Sequence, residues 1–279
     1  MSNFISANLK KLKDNKIPNP EIDLRILLNY SRCCENEIIF SNFKTDQIDI
    51  KKFNSLLNRR ILREPISKII NRKSFWKDEF YVNKFVLDPR PETEGIIEES
   101  IKIFNDKKAH LKILDIGTGS GAIAISLARE FENAEIVAID ISEDAIKVAN
   151  NNIITKNLDE RIQLKKTSFE NIKDNFDLIV SNPPYLTQNE IKNISDEIRN
   201  FEPLLALFGG EDGLDFYQAF SKQINKNLMK GGYLILEIGG SQFSDCKEIF
   251  RDSGLKFIKK EQDLQKKDRI MIFSKLYVV

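Results

Sequence analysis

The chain has 279 residues, 41% hydrophobic and 30% charged, with only 8 Pro and 12 Gly, a composition that excludes fibrous and disordered classes. The length accommodates one large α/β domain and a small additional module. The net charge of +1 divides unevenly, +6 over residues 1–88 against −5 over the rest, so a basic N-terminal part precedes an acidic body.

Residues 1–16 alternate apolar with polar side chains and lack the apolar run of a signal peptide, and nowhere do about 20 apolar residues succeed one another. A cytoplasmic protein without a membrane partner is the expectation. Over residues 1–73 apolar residues recur at helical spacing: Phe4, Ile5, Leu9 and Leu12; Ile22, Ile26, Leu27 and Tyr30; Phe53, Leu56, Leu57 and Ile61. This predicts a small helical domain, with Asn19-Pro20-Glu21 as a helix start and Pro65 closing the third long helix. Cys33, Cys34 and Cys246 are odd in number and lack C-x-x-C spacing, so neither a disulfide framework nor a zinc site is expected. Aromatic and β-branched residues from Phe75 to Val86 predict a hairpin linker over residues 74–90.

Residues 91–279 alternate strands with helices, the pattern of a mostly parallel sheet covered on both faces. Seven strands are predicted, at 111–116, 135–139, 161–165, 176–181, 233–238, 256–259 and 269–275, enough for one doubly wound, Rossmann-like α/β domain. Ser142, followed by Glu143 and Asp144, reads as a helix start, and Gly231-Gly232 as the stop of a helix running through Phe220 and Leu228. The sole histidine, His110, precedes a strand and reads as a surface residue.

The first strand of this body runs into Gly117-Thr118-Gly119-Ser120-Gly121 and then a helix. Gly117 permits the turn, Gly119 lets a ligand lie against the backbone, and Gly121 lets helix and strand pack closely. Asp140 ends the second strand, where a carboxylate can accept both hydroxyl hydrogens of a ribose. Together they imply an adenosine-containing cofactor. The fourth strand ends in Asn182-Pro183-Pro184-Tyr185 and should face the glycine loop. An amide or aromatic amino nitrogen is a poor nucleophile because its lone pair is delocalised. Fixed acceptors for its hydrogens improve it by stabilising the pyramidal transition state. Asn182 offers a side-chain carbonyl and Pro183 a backbone carbonyl, the prolines stiffen the loop, and Tyr185 can stack on a planar acceptor. The chemistry indicated is methyl transfer to nitrogen. Asn182→Asp, which keeps two acceptor oxygens, is expected to recover part of the activity lost in Asn182→Ala.

With Pro89-Arg90-Pro91-Glu92-Thr93-Glu94, Asp115 to Gly121, Asp140, Asn182 to Tyr185 and Glu237-Ile238-Gly239, the sequence resembles the PrmC/HemK family of peptide-chain release-factor glutamine methyltransferases over nearly its whole length. The resemblance implies a class I methyltransferase domain that uses S-adenosylmethionine. It implies as acceptor the glutamine of a release factor's Gly-Gly-Gln loop, with the helical domain helping to grip that factor and no nucleic acid as direct substrate. It also places Phe169, where relatives commonly carry Trp, against the adenine; Phe can stack but offers no N–H donor. Asp88 before Pro89, and Lys for a frequent Gly within residues 263–269, depart from the family pattern. The alternative is an adenine-N6 methyltransferase acting on DNA or RNA with the same tetrad. The basic N-terminal part favours it, whereas the acidic body and the lack of an added base-recognition domain oppose it.

Overall fold

The computed structural model describes residues 2–32 and 47–276, so that Cys33 and Cys34 lie outside the described residues. Contacts divide the chain into two compact units: the described residues up to Asn71 with Ser195–Phe201, and Arg72–Ile194 with the residues from Glu202 onward.

The smaller unit contains α1 (Ser2–Asp14), α2 (Pro20–Tyr30), α3 (Ile50–Ile61) and α4 (Ile66–Ile70). Their apolar stripes meet in a core of Leu12, Leu24, Leu27, Phe53, Leu57 and Ile69. Pro20 stands in the first turn of α2, although the Asn19 side chain makes no capping hydrogen bond. α3 ends at Ile61, before Arg63 takes a left-handed φ of 70°. Pro65 therefore does not close α3; it precedes and caps α4. The outlying helix α9 (Asp196–Phe201) belongs to this unit as well, and its Glu197 reaches Arg60 at 2.9 Å. Arg60 is buried, and it also meets buried Asp23 at 2.6 Å.

The larger unit opens with β1 (Arg72–Phe75) and β2 (Asp78–Tyr81), an antiparallel pair, followed by a 3-10 turn (Pro91–Thr93) that runs into α5 (Glu94–Ile103). Its main sheet comprises β3 (Lys112–Ile116), β4 (Glu135–Asp140), β5 (Ile162–Lys166), β6 (Phe176–Ser181), β7 (Leu228–Glu237), β8 (Lys256–Gln262) and β9 (Asp268–Ser274). The seven strands lie in the order β5-β4-β3-β6-β7-β9-β8, with β9 antiparallel to both its neighbours. Both faces are covered. One packs α6 (Ala122–Glu130) and α7 (Glu143–Thr155), the other α10 (Asp215–Asn227) and α11 (Phe243–Asp252). Short α8 (Gln188–Asn193) follows β6. Ser142 caps α7 through its hydroxyl, which accepts from Ala145 N–H at 3.2 Å.

One predicted boundary moves. Leu228 begins β7 instead of ending α10, and Gly231-Gly232 lie inside the strand. Gly231 has φ +78°, and the β6–β7 register shifts between Phe176 and Leu178. The glycines thus absorb a strand irregularity, as strand glycines often do. His110 is exposed, and Cys246 is buried, its thiol pushed up to about 12 by desolvation.

Candidate active site

Chain order reverses between β3, flanked by β4, and its other neighbour β6, which opens a crevice at the carboxyl ends of these strands. In their parallel register Ile116 faces Ser181, and Ser181 Oγ donates to Ile116 O at 2.8 Å. The glycine loop and the Asn-Pro-Pro-Tyr loop therefore leave from adjacent, tied strand ends.

Gly117, Gly119 and Gly121 all take left-handed φ, a region costly for other residues. A Cβ on Gly117 would meet nothing within 4 Å, so the space before it is open. A Cβ on Gly121 would make only ordinary contacts with Ile125 and Ala149, at 3.4 and 3.5 Å, so its φ of +81° is what favours glycine there. The loop is braced from below by Asp115, whose Oδ2 accepts from Thr118 Oγ1 at 2.6 Å and Ala124 N–H at 3.2 Å. Burial pushes the Asp115 carboxyl up to about 7. Asp140 clamps the same loop from the side: Oδ2 accepts from Gly119 N–H at 3.0 Å and Oδ1 from Ser142 N–H at 2.9 Å. Its pKa is raised, because burial outweighs these N–H donors. Each oxygen keeps a lone pair for a ligand hydroxyl.

Gly117, Thr118, Gly119, Ser120, Asp140, Phe169, Asn182 and Pro184 line one cavity of about 330 Å³; Gly121, Pro183 and Tyr185 do not line it. Phe169 stands edge-on to Phe216 at 5.6 Å and to Phe220 at 5.2 Å, and Phe216 also lines the cavity. An open glycine cradle, a pinned carboxylate and an aromatic wall fit the phosphate-free adenosine of S-adenosylmethionine.

The acceptor side is held by residues that come together from three remote segments. Asn182 Nδ2 donates to Thr93 Oγ1 at 2.9 Å, and Thr93 Oγ1 donates to Glu237 Oε2 at 2.5 Å. Tyr185, expected to stack on the acceptor, donates its hydroxyl to Glu237 Oε1 at 3.1 Å, and burial holds that phenol above its ordinary pKa. Glu237 is buried at the end of β7, and desolvation pushes its carboxyl up to about 7. Gln242 supports the loop from behind, its Nε2 donating to Tyr185 O and Gly213 O, both at 3.0 Å. At the mouth Arg90 donates to Glu202 at 3.3 Å. Neither Glu237 nor Thr93 was singled out as a site residue from sequence; their only signal was membership of two motifs whose roles were unassigned.

A mostly parallel sheet reversing at this crevice, with a glycine loop and Asn-Pro-Pro-Tyr at the strand ends, defines a class I methyltransferase. Residues 107–268 match the family model described as a methyltransferase domain. The catalytic domain of hMettl16 superposes with a TM-score of 0.58 at 17% identity, covering 85% of this chain and 86% of that one, a likeness of fold. The release factor glutamine methyltransferase of Caulobacter vibrioides is 38% identical over 96% of this chain and 93% of its own length. The bifunctional methyltransferase of Rickettsia typhi is 40% identical over 95% of this chain and 55% of its own length. The chain therefore spans about half the length of the bifunctional relatives it matches. It belongs to the release factor glutamine methyltransferase family.

Proposed function

We propose that the protein uses S-adenosylmethionine to methylate the side-chain amide nitrogen (N5) of the glutamine in the Gly-Gly-Gln loop of a peptide-chain release factor, in the cytoplasm and with neither nucleic acid nor membrane as a partner. The observation that carries this reading is the Asn182 amide. Its NH2 end is engaged by Thr93, which leaves Oδ1 as the group it offers at the cavity.

The bound S-adenosylmethionine supplies an electrophilic methyl group on a sulfonium. Gly117, Gly119 and Asp140 would hold the adenosine end, with the carboxylate as acceptor for the ribose hydroxyls, and Phe169 would offer its ring to the base. Asn182 Oδ1, at the cavity, would accept one N–H hydrogen of the substrate amide, and the carbonyl oxygen of Pro183, whose residue does not line the cavity, is assigned the other on the sequence argument alone. Positive charge growing on this nitrogen as it takes up the methyl group would be stabilised by these acceptors, which are already in place. The nitrogen then releases one proton, leaving N5-methylglutamine.

The rim supports a protein acceptor. Phe85, Leu205 and Phe208 line the cavity yet are 42%, 58% and 41% exposed, an apolar edge suited to a loop. Among the described residues Arg90 is the only basic one lining the cavity, and it is paired with Glu202, which leaves little to neutralise a phosphate backbone. A basic helical part with the gripping role then supplies recognition and no chemistry. Tandem mass spectrometry of an intact release factor after incubation with enzyme and methyl donor tests the reading. One methyl on the side-chain nitrogen of the Gly-Gly-Gln glutamine is expected; an unmodified glutamine with methyl elsewhere contradicts it.

A further inference from the structure

We infer that Glu237 is a positioning residue: acting through Thr93, it determines which end of the Asn182 amide faces the cavity. An ionised carboxylate only accepts hydrogen bonds, so the hydroxyl hydrogens of Thr93, at 2.5 Å, and Tyr185, at 3.1 Å, both point toward Glu237. Thr93 has a single hydroxyl hydrogen. Once that is given to Glu237, Thr93 Oγ1 can meet Asn182 only as an acceptor, and only the NH2 end of the amide satisfies it. Asn182 Oδ1 is thereby turned to the cavity. The two ends of an amide are nearly equal in size, so packing alone discriminates poorly between them. In the flipped orientation Asn182 would present N–H donors to an acceptor nitrogen that itself carries hydrogens, and the transition state would lose an acceptor.

Protonating Glu237 undoes this order. The carboxyl gains its own hydrogen to donate, the Thr93 hydroxyl hydrogen is freed, and that hydrogen can now stabilise Asn182 Oδ1 in the flipped state. The groups facing Glu237 are Thr93 and Glu92 from the 3-10 turn, Tyr185 from the loop after β6, Tyr217 of α10 and Arg269 of β9. Arg90 acts on the same cluster through Tyr185. Burial and, more weakly, Glu92 oppose the carboxylate, whereas the hydrogen bonds from Thr93 and Tyr185 and the charge of Arg269 favour it, and the balance sets the carboxyl at about 7.

This inference rests on the acceptor being an amide, as proposed above. The test compares full-length wild type, Thr93→Val, Thr93→Ser and Glu237→Gln, measuring kcat and acceptor KM on a release factor at saturating S-adenosylmethionine across pH. Thr93→Val and Glu237→Gln should each lower kcat by about 10²-fold with acceptor KM little changed, the scale of a misplaced catalytic contact. Thr93→Ser, which keeps the hydroxyl, should restore most of the rate. Wild-type kcat should fall as pH drops through about 7, whereas Glu237→Gln should be low and flat. Wild-type kcat in Thr93→Val, or an unchanged pH inflection in Glu237→Gln, would overturn the inference. A second readout needs no acceptor: the Asn182 Nδ2 hydrogens, followed by NMR, should exchange slowly in wild type above the Glu237 transition and fast in Thr93→Val. Equal protection in both would overturn the positioning role. If wild type methylates no release factor, the proposed function fails, and this exchange measurement still decides the orientation.

Discussion

Asn182 Nδ2 donates to Thr93 Oγ1 at 2.9 Å although 89 residues separate them in the chain. One consequence concerns Asn182→Asp. On sequence grounds that variant keeps two acceptor oxygens and should recover part of the activity. In the structure the introduced carboxylate would have no N–H for Thr93, and it would compete with Glu237 for the one hydroxyl hydrogen. Both Asn182→Ala and Asn182→Asp should therefore lose about 10²–10³ in kcat, the usual effect of removing one preorganised contact. Steady-state kinetics with donor affinity measured separately checks this; substantial recovery by the Asn182→Asp variant would count against the Thr93 contact.

Asp140→Ala should weaken S-adenosylmethionine binding by about 1.5–3 kcal/mol for each charged hydrogen bond lost. The same change frees Gly119 N–H and Ser142 N–H, so the glycine loop loosens as well. Calorimetry on the folded variant gives the answer: unchanged affinity would remove Asp140 from the site. Wild type should bind no NAD in the same instrument.

What the sequence revealed and what it hid have physical causes. The strands β3, β4 and β6 carry near-continuous apolar runs because both sheet faces are covered, and their ends were legible within a residue or two. The glycine loop, Asp140 and Asn182 announce themselves through residue types that few other structural needs explain. The start of β7 was misread because paired glycines mark helix stops as readily as strand irregularities. Thr93 and Glu237 are 144 residues apart, and no local pattern joins two ordinary polar residues over that distance. α9 joins the helical unit through Glu197 and Arg60, which lie 137 residues apart, a pairing equally invisible in a short polar segment.

Arg60 in the helical unit should be costly to replace. It bonds Asp23 at 2.6 Å, Glu197 at 2.9 Å and Glu64 O at 3.1 Å while itself buried. Arg60→Met leaves the buried Asp23 carboxylate without its partner, which typically costs about 3–5 kcal/mol. Denaturant unfolding should show that loss. A change below about 1 kcal/mol, the range of exposed pairs, would contradict the account.

Lys266 takes φ +64° in the turn between β8 and β9. The left-handed conformation costs an ordinary residue about 1–2 kcal/mol, partly offset by the greater chain entropy that Gly loses on folding. Lys266→Gly should therefore stabilise the protein by up to about 1 kcal/mol, seen as a raised denaturation midpoint; a lowered midpoint would refute the strain.

Asp115 and Glu237 both hold protons more tightly when folded, each near 7, than a free carboxylate does. Between about pH 4 and 7 these two groups bind more protons in the folded than in the unfolded state, and the stability they contribute falls as pH rises through this window. Glu237→Gln should flatten part of that slope in denaturant titrations over the same range. An identical slope in the variant would show that Glu237 ionises normally.

The most direct measurement offers labelled S-adenosylmethionine and the full-length enzyme three acceptors in parallel: an intact release factor, the same factor with the Gly-Gly-Gln glutamine changed to Ala, and bulk nucleic acid. The account predicts label in the intact factor alone, abolished to near background by Asn182→Ala in the enzyme. Label in nucleic acid alone, or equal label in the glutamine-less factor, would contradict it.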